Sequence, residues 1–311
     1  MSTNILIAGI GGVGGFFGGL LANEFFQSPE VNVSFLARGA HLQKIQTEGL
    51  KIEWGTKILN VRPYKATDHA AILGEADFIL LCTKSYDLVA TIEQIKPCIN
   101  ANTVIIPFLN GVDSVHRIQK LLPNNTIAGG CVYIVSSIKE PGIVRNTGNI
   151  QKLFLGLNGE RNQRLLQLVN WMQQAGIEAQ YSDNILNVMW EKFYLVAANS
   201  TATSYFNLTT GQILAEPDMA KMMELLLKEV NLVASARGIF FETDMVETTA
   251  RKISNLPFET TSSMQRDFWK KDGRTELETI TGYIVASGLE LNIPTPTFQA
   301  MYESLLLKKT I

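Results

Sequence analysis

A glycine-rich segment directly follows a short apolar run at the start of the chain. Residues 5–8 are all apolar, and Gly9-Ile-Gly-Gly-Val-Gly14 follows them as a G-x-G-x-x-G sequence. Between a buried strand and a helix, this sequence is typical of dinucleotide-binding βαβ units. The first glycine permits a tight turn, the second lets the backbone approach a pyrophosphate, and the third lets the helix pack closely on the strand. The residues predicted to bind the cofactor here are Gly9, Ile10, Gly11, Gly12, Val13 and Gly14.

Arg38 indicates which dinucleotide this segment would hold. The next apolar strand, predicted over residues 31–37, ends at Arg38. NAD-binding chains place an acidic residue at this point for the ribose 2′-OH, whereas an arginine favours a 2′-phosphate. We therefore expect NADP(H) as the cofactor. A solvated arginine in a βα loop stays open as the alternative.

The uncharged stretch over residues 5–23 also permits a membrane helix or a signal peptide. However, seven of residues 9–19 are glycine, which disfavours a single continuous helix. No Lys or Arg precedes Arg38, so the positive region of a signal peptide is missing. We expect neither a membrane span nor a targeting segment.

Length and charge favour a two-domain enzyme. At 311 residues the chain exceeds one typical core, and 46% hydrophobic residues suffice for two. The net charge of −2 gives no electrostatic basis for binding nucleic acid or an anionic membrane. Three cysteines, far apart in sequence, predict a reducing, cytoplasmic location. No Cys or His spacing suggests a metal site.

The order of predicted elements changes near residue 181. Before it, strands over 76–82, 103–108 and 126–135 alternate with helices, which predicts a Rossmann-type, doubly wound parallel sheet. A pair of short strands over 50–54 and 58–62 and an antiparallel addition ending near residue 156 accompany this sheet. After residue 181 helical patterns dominate. We predict an α/β domain over 1–181 and an all-α domain over 182–311, with helices over about 182–206, 217–237, 244–254, 260–270, 275–287 and 296–307.

Polar residues at predicted strand ends and on one apolar helix are candidates for the chemistry. Lys84 and Asn110 follow strands of the parallel sheet and so lie at its carboxyl edge, where ligands bind in open α/β folds. Lys192 stands in an otherwise apolar helix, and Asn199 shares its face two turns later. A lysine that loses water there holds its proton less tightly, which suits proton donation near neutral pH. A lysine that packs its stem and pairs with a carboxylate is the structural alternative.

Ser263 and Glu276 stand near the starts of two predicted helices. On residue type alone they indicate ordinary helix capping and dipole complementation. By themselves these two residues do not indicate a functional site, and they are interpreted only together with the other motifs.

Taken together, these motifs resemble the ketopantoate reductase (2-dehydropantoate 2-reductase) family over almost the whole chain. The sequences that carry the resemblance are the glycine loop, Arg38-Gly, Lys84, Asn110-Gly-Val, Trp190-Glu-Lys192, Ser263-Met and Glu276-Leu-Glu. The resemblance implies NADPH-dependent reduction of a small 2-oxo acid by a monomer or homodimer. It implies that Arg38 and Lys84 hold the cofactor and that Lys192 donates the proton. It also implies that Ser263 and Asn110 hold the substrate, and that Asn110 and Glu276 reach both cofactor and active site.

Three positions depart from the family pattern. Val196, Ser200 and Thr210 occupy positions where the family carries asparagines, and Asn199 is expected to substitute in part. Each lost amide contact in a buried site costs about 1–3 kcal/mol unless it is replaced. The spacing from Asp267 to Glu276 is also one residue longer than usual. A related hydroxy-acid dehydrogenase and a non-catalytic NADP(H)-binding sensor therefore stay open as alternatives.

Overall fold

The chain divides into two units, each with its own core. The structure is a computed structural model that describes residues 2–309. Unit 1 comprises the described residues up to Leu109 together with Ser114–Leu186, and unit 2 comprises Asn110–Asp113 and the described residues from Asn187 onward. The main division thus falls a few residues beyond the predicted position 181. The inclusion of Asn110–Asp113 in unit 2 was not predicted.

A six-stranded parallel sheet forms the centre of unit 1. Its order is β5-β2-β1-β6-β7-β8, with every pairing parallel. Ile5 and Ile7 of β1 face one apolar core, whereas Leu6 and Ala8 face another. Both faces are therefore covered, as strand patterns without polar alternation require, and the predicted doubly wound fold is confirmed. The strands are β1 (Thr3–Ala8), β2 (Val31–Leu36), β5 (Lys65–Thr67), β6 (Phe78–Leu81), β7 (Val104–Pro107) and β8 (Thr126–Ile127).

The antiparallel addition is a second sheet with the order β11-β10-β3-β4, and β9 pairs with β10. The single strand predicted over 126–135 is wrong, because the chain leaves the parallel sheet after Ile127 and begins a longer strand at Gly129. The strands of this sheet are β3 (Leu50–Trp54), β4 (Lys57–Val61), β9 (Gly129–Glu140), β10 (Ile143–Gly156) and β11 (Glu178–Tyr181).

Five helices belong to unit 1. The first packs phenylalanines 16 and 17 into the core that also contains β1, β3 and β10. The fifth begins after Asn162, whose side chain accepts hydrogen bonds from two backbone N–H groups and so caps it. The helices are α1 (Gly12–Glu24), α2 (Gly39–Glu48), α3 (Leu88–Ile95), α4 (Ser114–Leu121) and α5 (Gln163–Gln174).

Unit 2 is helical, as predicted. One short helix, α7, was not predicted, although Thr209 and Gln212 show the spacing of a capping box and form one in the structure. The predicted helix start at Thr275 is wrong: residues 277–280 form a turn, and the helix begins at Thr281. The helices are α6 (Ile185–Phe206), α7 (Thr210–Ala215), α8 (Pro217–Ala236), α9 (Met245–Ser254), α10 (Ser263–Trp269), α11 (Thr281–Leu291) and α12 (Pro296–Lys309).

Helix α6 is anchored within unit 2 by an aromatic cluster. Trp190 is 2% exposed, and its ring meets that of Phe193 edge-on at 5.5 Å between centroids. Tyr283 of α11 contacts both rings. Edge-to-face packing of this kind stabilises by about 0.5–1.5 kcal/mol beyond burial, so the helix is firmly positioned close to Lys192. Of the helices in residues 2–309, none is long and apolar enough to cross a membrane.

Candidate active site

Three glycines at the loop before α1 and the start of that helix are required by backbone conformation and by close contacts with other atoms of the protein. Gly9 has a φ of +98°, which L side chains rarely adopt. A Cβ on Gly14 would lie 2.1 Å from the carbonyl oxygen of Gly9, and one on Gly12 would lie 2.1 Å from that of Ser136. Turn geometry and close packing therefore explain these three glycines. Beside them, desolvation raises the pKa of the Cys82 thiol to about 12, so this thiol stays protonated near neutral pH.

Gly11 needs a different explanation. A Cβ on Gly11 would meet no protein atom within 4 Å. Gly11 is the N-cap residue of α1, provides no side-chain cap, and is followed by a first turn without acidic residues. Open space above a helix N-terminus suits a phosphate, because backbone N–H groups and the helix dipole favour an anion there. The residues present thus fit the pyrophosphate of a dinucleotide.

Arg38 and Lys84 lie at the carboxyl ends of two strands that flank β1. Arg38 is the N-cap residue of α2, and its side chain is 78% exposed. Its Nη2 lies 3.3 Å from Oδ2 of Asp87. Lys84 is half-buried and precedes a 3₁₀ turn over Ser85–Asp87, in which the Asp87 N–H donates to the Lys84 carbonyl at 2.9 Å. Sequence reasoning missed Asp87, although its place three residues after Lys84 put it at the same sheet edge.

In unit 2, Lys192, Asn110 and Glu276 form a continuous hydrogen-bonded set. The Lys192 Nζ donates to Asn110 Oδ1 at 2.9 Å. The Asn110 Nδ2 in turn donates to Glu276 Oε2 at 3.3 Å. One amide therefore links an ammonium group to a carboxylate, and its orientation is fixed because its oxygen faces the lysine and its nitrogen faces the glutamate.

Local backbone features hold this set in place. Gly111 has a φ of +98°, and a Cβ there would lie 3.1 Å from the Thr279 carbonyl oxygen, so the Asn-Gly turn packs on the segment that carries Glu276. The Glu276 carbonyl accepts hydrogen bonds from the Thr279 hydroxyl and the Ile280 N–H. Glu276 is only 2% exposed. It lies in this turn and not at a helix start, so dipole complementation does not account for it.

Lys192 follows a carboxylate in sequence and contacts an amide oxygen in the structure. The neighbouring Glu191 binds Lys252 of α9 at 2.7 Å, so this carboxylate is engaged elsewhere. Lys192 is half-buried and meets the neutral oxygen of Asn110. An ammonium group held by an amide oxygen can present a proton to a bound molecule.

Asn199 belongs to a second, buried polar set, and Ser263 directly follows one member of that set, Ser262, in sequence. Asn199 is 5% exposed, and its Oδ1 accepts a hydrogen bond from the Thr210 hydroxyl at 2.9 Å. Ser263 is half-buried and is the first residue of α10, directly after the cap residue Ser262. The Ser262 hydroxyl accepts from the Thr203 hydroxyl at 2.8 Å. Thr210, one of the three departures from the family pattern, is thus the partner of the asparagine expected to compensate for them.

The other two departures lie on α6 beyond Lys192. Val196, one turn after the lysine, is half-buried, and Ser200, two turns after it, is 5% exposed. Neither can supply a carboxamide to a ligand. Within residues 2–309, no group of three or more His, Cys, Asp or Glu side chains is arranged to hold a metal ion.

Comparison with known proteins assigns the chain to a family. The model of the family "Ketopantoate reductase PanE/ApbA" matches residues 5–159, and that of its C-terminal domain matches residues 184–309. The chain is 27% identical to the uncharacterized oxidoreductase YkpB of Bacillus subtilis, over 96% of this chain and 97% of that protein.

Two solved structures show the same fold. The 2-dehydropantoate 2-reductase of Porphyromonas gingivalis W83 has a TM-score of 0.87 and 31% identity, over 98% of this chain and 100% of that one. A D-mandelate dehydrogenase solved with NADH and anilino(oxo)acetate has a TM-score of 0.85 over 99% of each chain, and its 22% identity shows likeness of fold alone. The chain therefore belongs to the ketopantoate reductase family and is an oxidoreductase that acts on a CH–OH group.

Proposed function

We propose that the protein uses NADPH to reduce a small 2-oxo acid, with 2-dehydropantoate as the default substrate and pantoate as the product, as in pantothenate biosynthesis. The observation that carries the proposal is the hydrogen-bonded set of Lys192, Asn110 and Glu276. An ammonium group held by a neutral amide is suited to donate a proton to a reduced carbonyl oxygen. Relatives in this family are named as 2-dehydropantoate 2-reductases, which supports this substrate as the starting point.

Unit 1 would hold the cofactor. The glycine loop and the α1 N-terminus suit the pyrophosphate, and Arg38 suits the 2′-phosphate of the adenosine half. Lys84 is proposed to contact the cofactor as well. When bound, the reduced nicotinamide supplies a hydride to the carbonyl carbon. The open space at Gly11 and the exposure of the Arg38 side chain support this assignment.

Unit 2 would supply the proton and hold the substrate. As the carbonyl is reduced, Lys192 protonates the developing alkoxide. Asn110 orients the lysine through its Oδ1, and Glu276 fixes the amide through its Nδ2. Ser263 and Asn199 are proposed to bind the substrate, with Asn199 held in place by Thr210.

A related hydroxy-acid dehydrogenase is the second candidate, and one observation favours it. Val196 and Ser200 follow Lys192 along α6 where amide groups would bind ketopantoate. The Asn199 oxygen already accepts from Thr210. A different 2-oxo acid, with fewer polar groups on this side, suits such a surface better.

A substrate panel tests both candidates. NADPH oxidation is followed by absorbance against a series of 2-oxo acids that includes ketopantoate, with Lys192→Ala and the surface variant Lys252→Ala run in parallel. We expect turnover of at least one 2-oxo acid by the wild type and Lys252→Ala, and loss of it in Lys192→Ala. If no 2-oxo acid supports turnover while NADPH binds, the proposed substrate class is wrong.

The proposal includes a cytoplasmic location, a monomeric or homodimeric state, and no nucleic-acid or membrane partner. The three cysteines are free thiols, which suits a reducing compartment. Mass measurement in solution tests the oligomeric state, and a larger assembly would contradict it.

A further inference from the structure

The ion pair between Arg38 and Asp87 spans the carboxyl end of strand β1. Arg38 follows β2 and Asp87 follows β6, and these strands are the two neighbours of β1 in the sheet. The β1 strand leads directly into the glycine loop. The pair therefore brings a carboxylate to the arginine that the adenosine half of the cofactor would meet.

We propose that Asp87 is a specificity-determining residue that acts through Arg38 and reduces the preference of the protein for NADPH over NADH; this inference rests on the proposed cofactor site. The Asp87 carboxylate and a 2′-phosphate are both anions that bind a guanidinium group. A phosphate that enters at Arg38 must loosen the contact at 3.3 Å and approach a group of its own charge. NADH carries no 2′-phosphate and meets neither cost.

The opposite effect, in which Asp87 orients Arg38 for the phosphate, is weaker here. The Arg38 side chain is 78% exposed, and the contact to Asp87 joins one nitrogen to one oxygen. Exposed pairs with a single contact restrict an arginine little and contribute little stability. The competition of the Asp87 carboxylate with the 2′-phosphate for Arg38 therefore outweighs any orientation of Arg38 by Asp87. By contrast, the Asp87 backbone is held by the 3₁₀ turn and its side chain is 22% exposed, so the carboxylate keeps its place.

Binding titrations of Asp87→Asn test this inference without any substrate. The Kd values of NADPH and NADH are measured from the fluorescence of the reduced nicotinamide for the wild type, Asp87→Asn and the control Glu93→Gln. Glu93 pairs with Lys96 at 2.7 Å, so the control removes one nearby surface carboxylate from an ion pair of its own. We expect Asp87→Asn to lower the Kd of NADPH about two- to fivefold, the range of one exposed ion pair. The Kd of NADH and both values for Glu93→Gln should stay unchanged.

A double-mutant cycle separates action through Arg38 from a general change of charge. In an Arg38→Ala background, Asp87→Asn should lower the Kd of NADPH by a smaller factor than in the wild type, because only the repulsion between carboxylate and phosphate remains. A weaker or unchanged NADPH affinity in Asp87→Asn alone overturns the inference and leaves the proposed function intact. An equal gain in the Arg38→Ala background also overturns it. Failure of the wild type to bind either nucleotide contradicts the proposed function itself and the inference with it.

Discussion

The glycine loop of unit 1 and the lysine set of unit 2 are built in different ways. The loop is one contiguous segment over Gly9–Gly14, and its backbone shape depends on glycines. The lysine set joins side chains 82 and 166 positions apart in sequence. The first region tolerates few side chains because atoms of the same chain would collide with them. The second depends on the identity of three functional groups.

This difference separates fold effects from chemical effects. Substitutions in the loop should alter cofactor binding or folding. Substitutions in the lysine set should alter turnover. They should change the free energy of unfolding little, since these polar contacts are few beside a large apolar core. The variants below test that separation.

Lys192→Ala should have the largest effect. It should lower kcat by about two to four orders of magnitude, the usual contribution of a positioned general acid. The Kd of NADPH should change little, because the proposed cofactor residues belong to unit 1. The control is Lys252→Ala, which breaks the ion pair to Glu191. A folded Lys192→Ala enzyme with near-normal kcat would make Glu276 the next candidate for the acid.

Arg38→Glu should reverse the cofactor preference. Loss of charge-assisted hydrogen bonds of about 1.5–3 kcal/mol corresponds to an NADPH affinity about 10- to 100-fold weaker. NADH affinity should be spared, since NADH has no 2′-phosphate. Parallel titrations with both nucleotides measure the ratio, with Arg251→Glu as a control on an exposed arginine of α9. Equal affinity of the wild type for NADPH and NADH would contradict this role of Arg38.

Gly11→Ala and Gly14→Ala form a matched pair within the loop. The Gly14 Cβ would lie 2.1 Å from a carbonyl oxygen, so this variant should lose about 1–3 kcal/mol in the free energy of unfolding. The Gly11 Cβ enters open space, so this variant should keep its stability and bind NADPH about tenfold more weakly. Chemical denaturation and nucleotide titration measure the two effects. Unchanged NADPH affinity in Gly11→Ala would remove the pyrophosphate from this position.

These cases show what the sequence could predict. The loop was predictable because its residues are contiguous and three of its four glycines answer a local steric demand. Most strands and helices were predictable because each is also one contiguous segment with its own apolar pattern. The contacts of Asn110 were not, because hydrogen bonds between distant segments leave no periodic pattern. Glu276 was expected at a helix start, but its carbonyl accepts hydrogen bonds from the Thr279 hydroxyl and the Ile280 N–H, and the chain forms a turn there instead.

Val196→Asn should give a smaller effect on substrate preference. The wild type should have a high KM for ketopantoate, because valine offers no hydrogen bond one turn after Lys192. An added amide should lower that KM about two- to tenfold, the usual contribution of one hydrogen bond. Leu195→Asn places the same amide at the neighbouring position of α6 and is the control. A micromolar KM of the wild type for ketopantoate would show that other groups already replace the missing amides.

A double-mutant cycle on kcat between Asn110 and Lys192 tests the central claim most directly. The wild type, Asn110→Ala, Lys192→Ala and the double variant are compared at saturating NADPH and substrate. If Asn110 acts by holding Lys192, its loss should lower kcat about 10- to 100-fold alone. In the Lys192→Ala background it should lower kcat less than about threefold, because residues that act as a unit are not additive. The same factor in both backgrounds would show that the two residues act separately, and would contradict the account of one hydrogen-bonded proton donor.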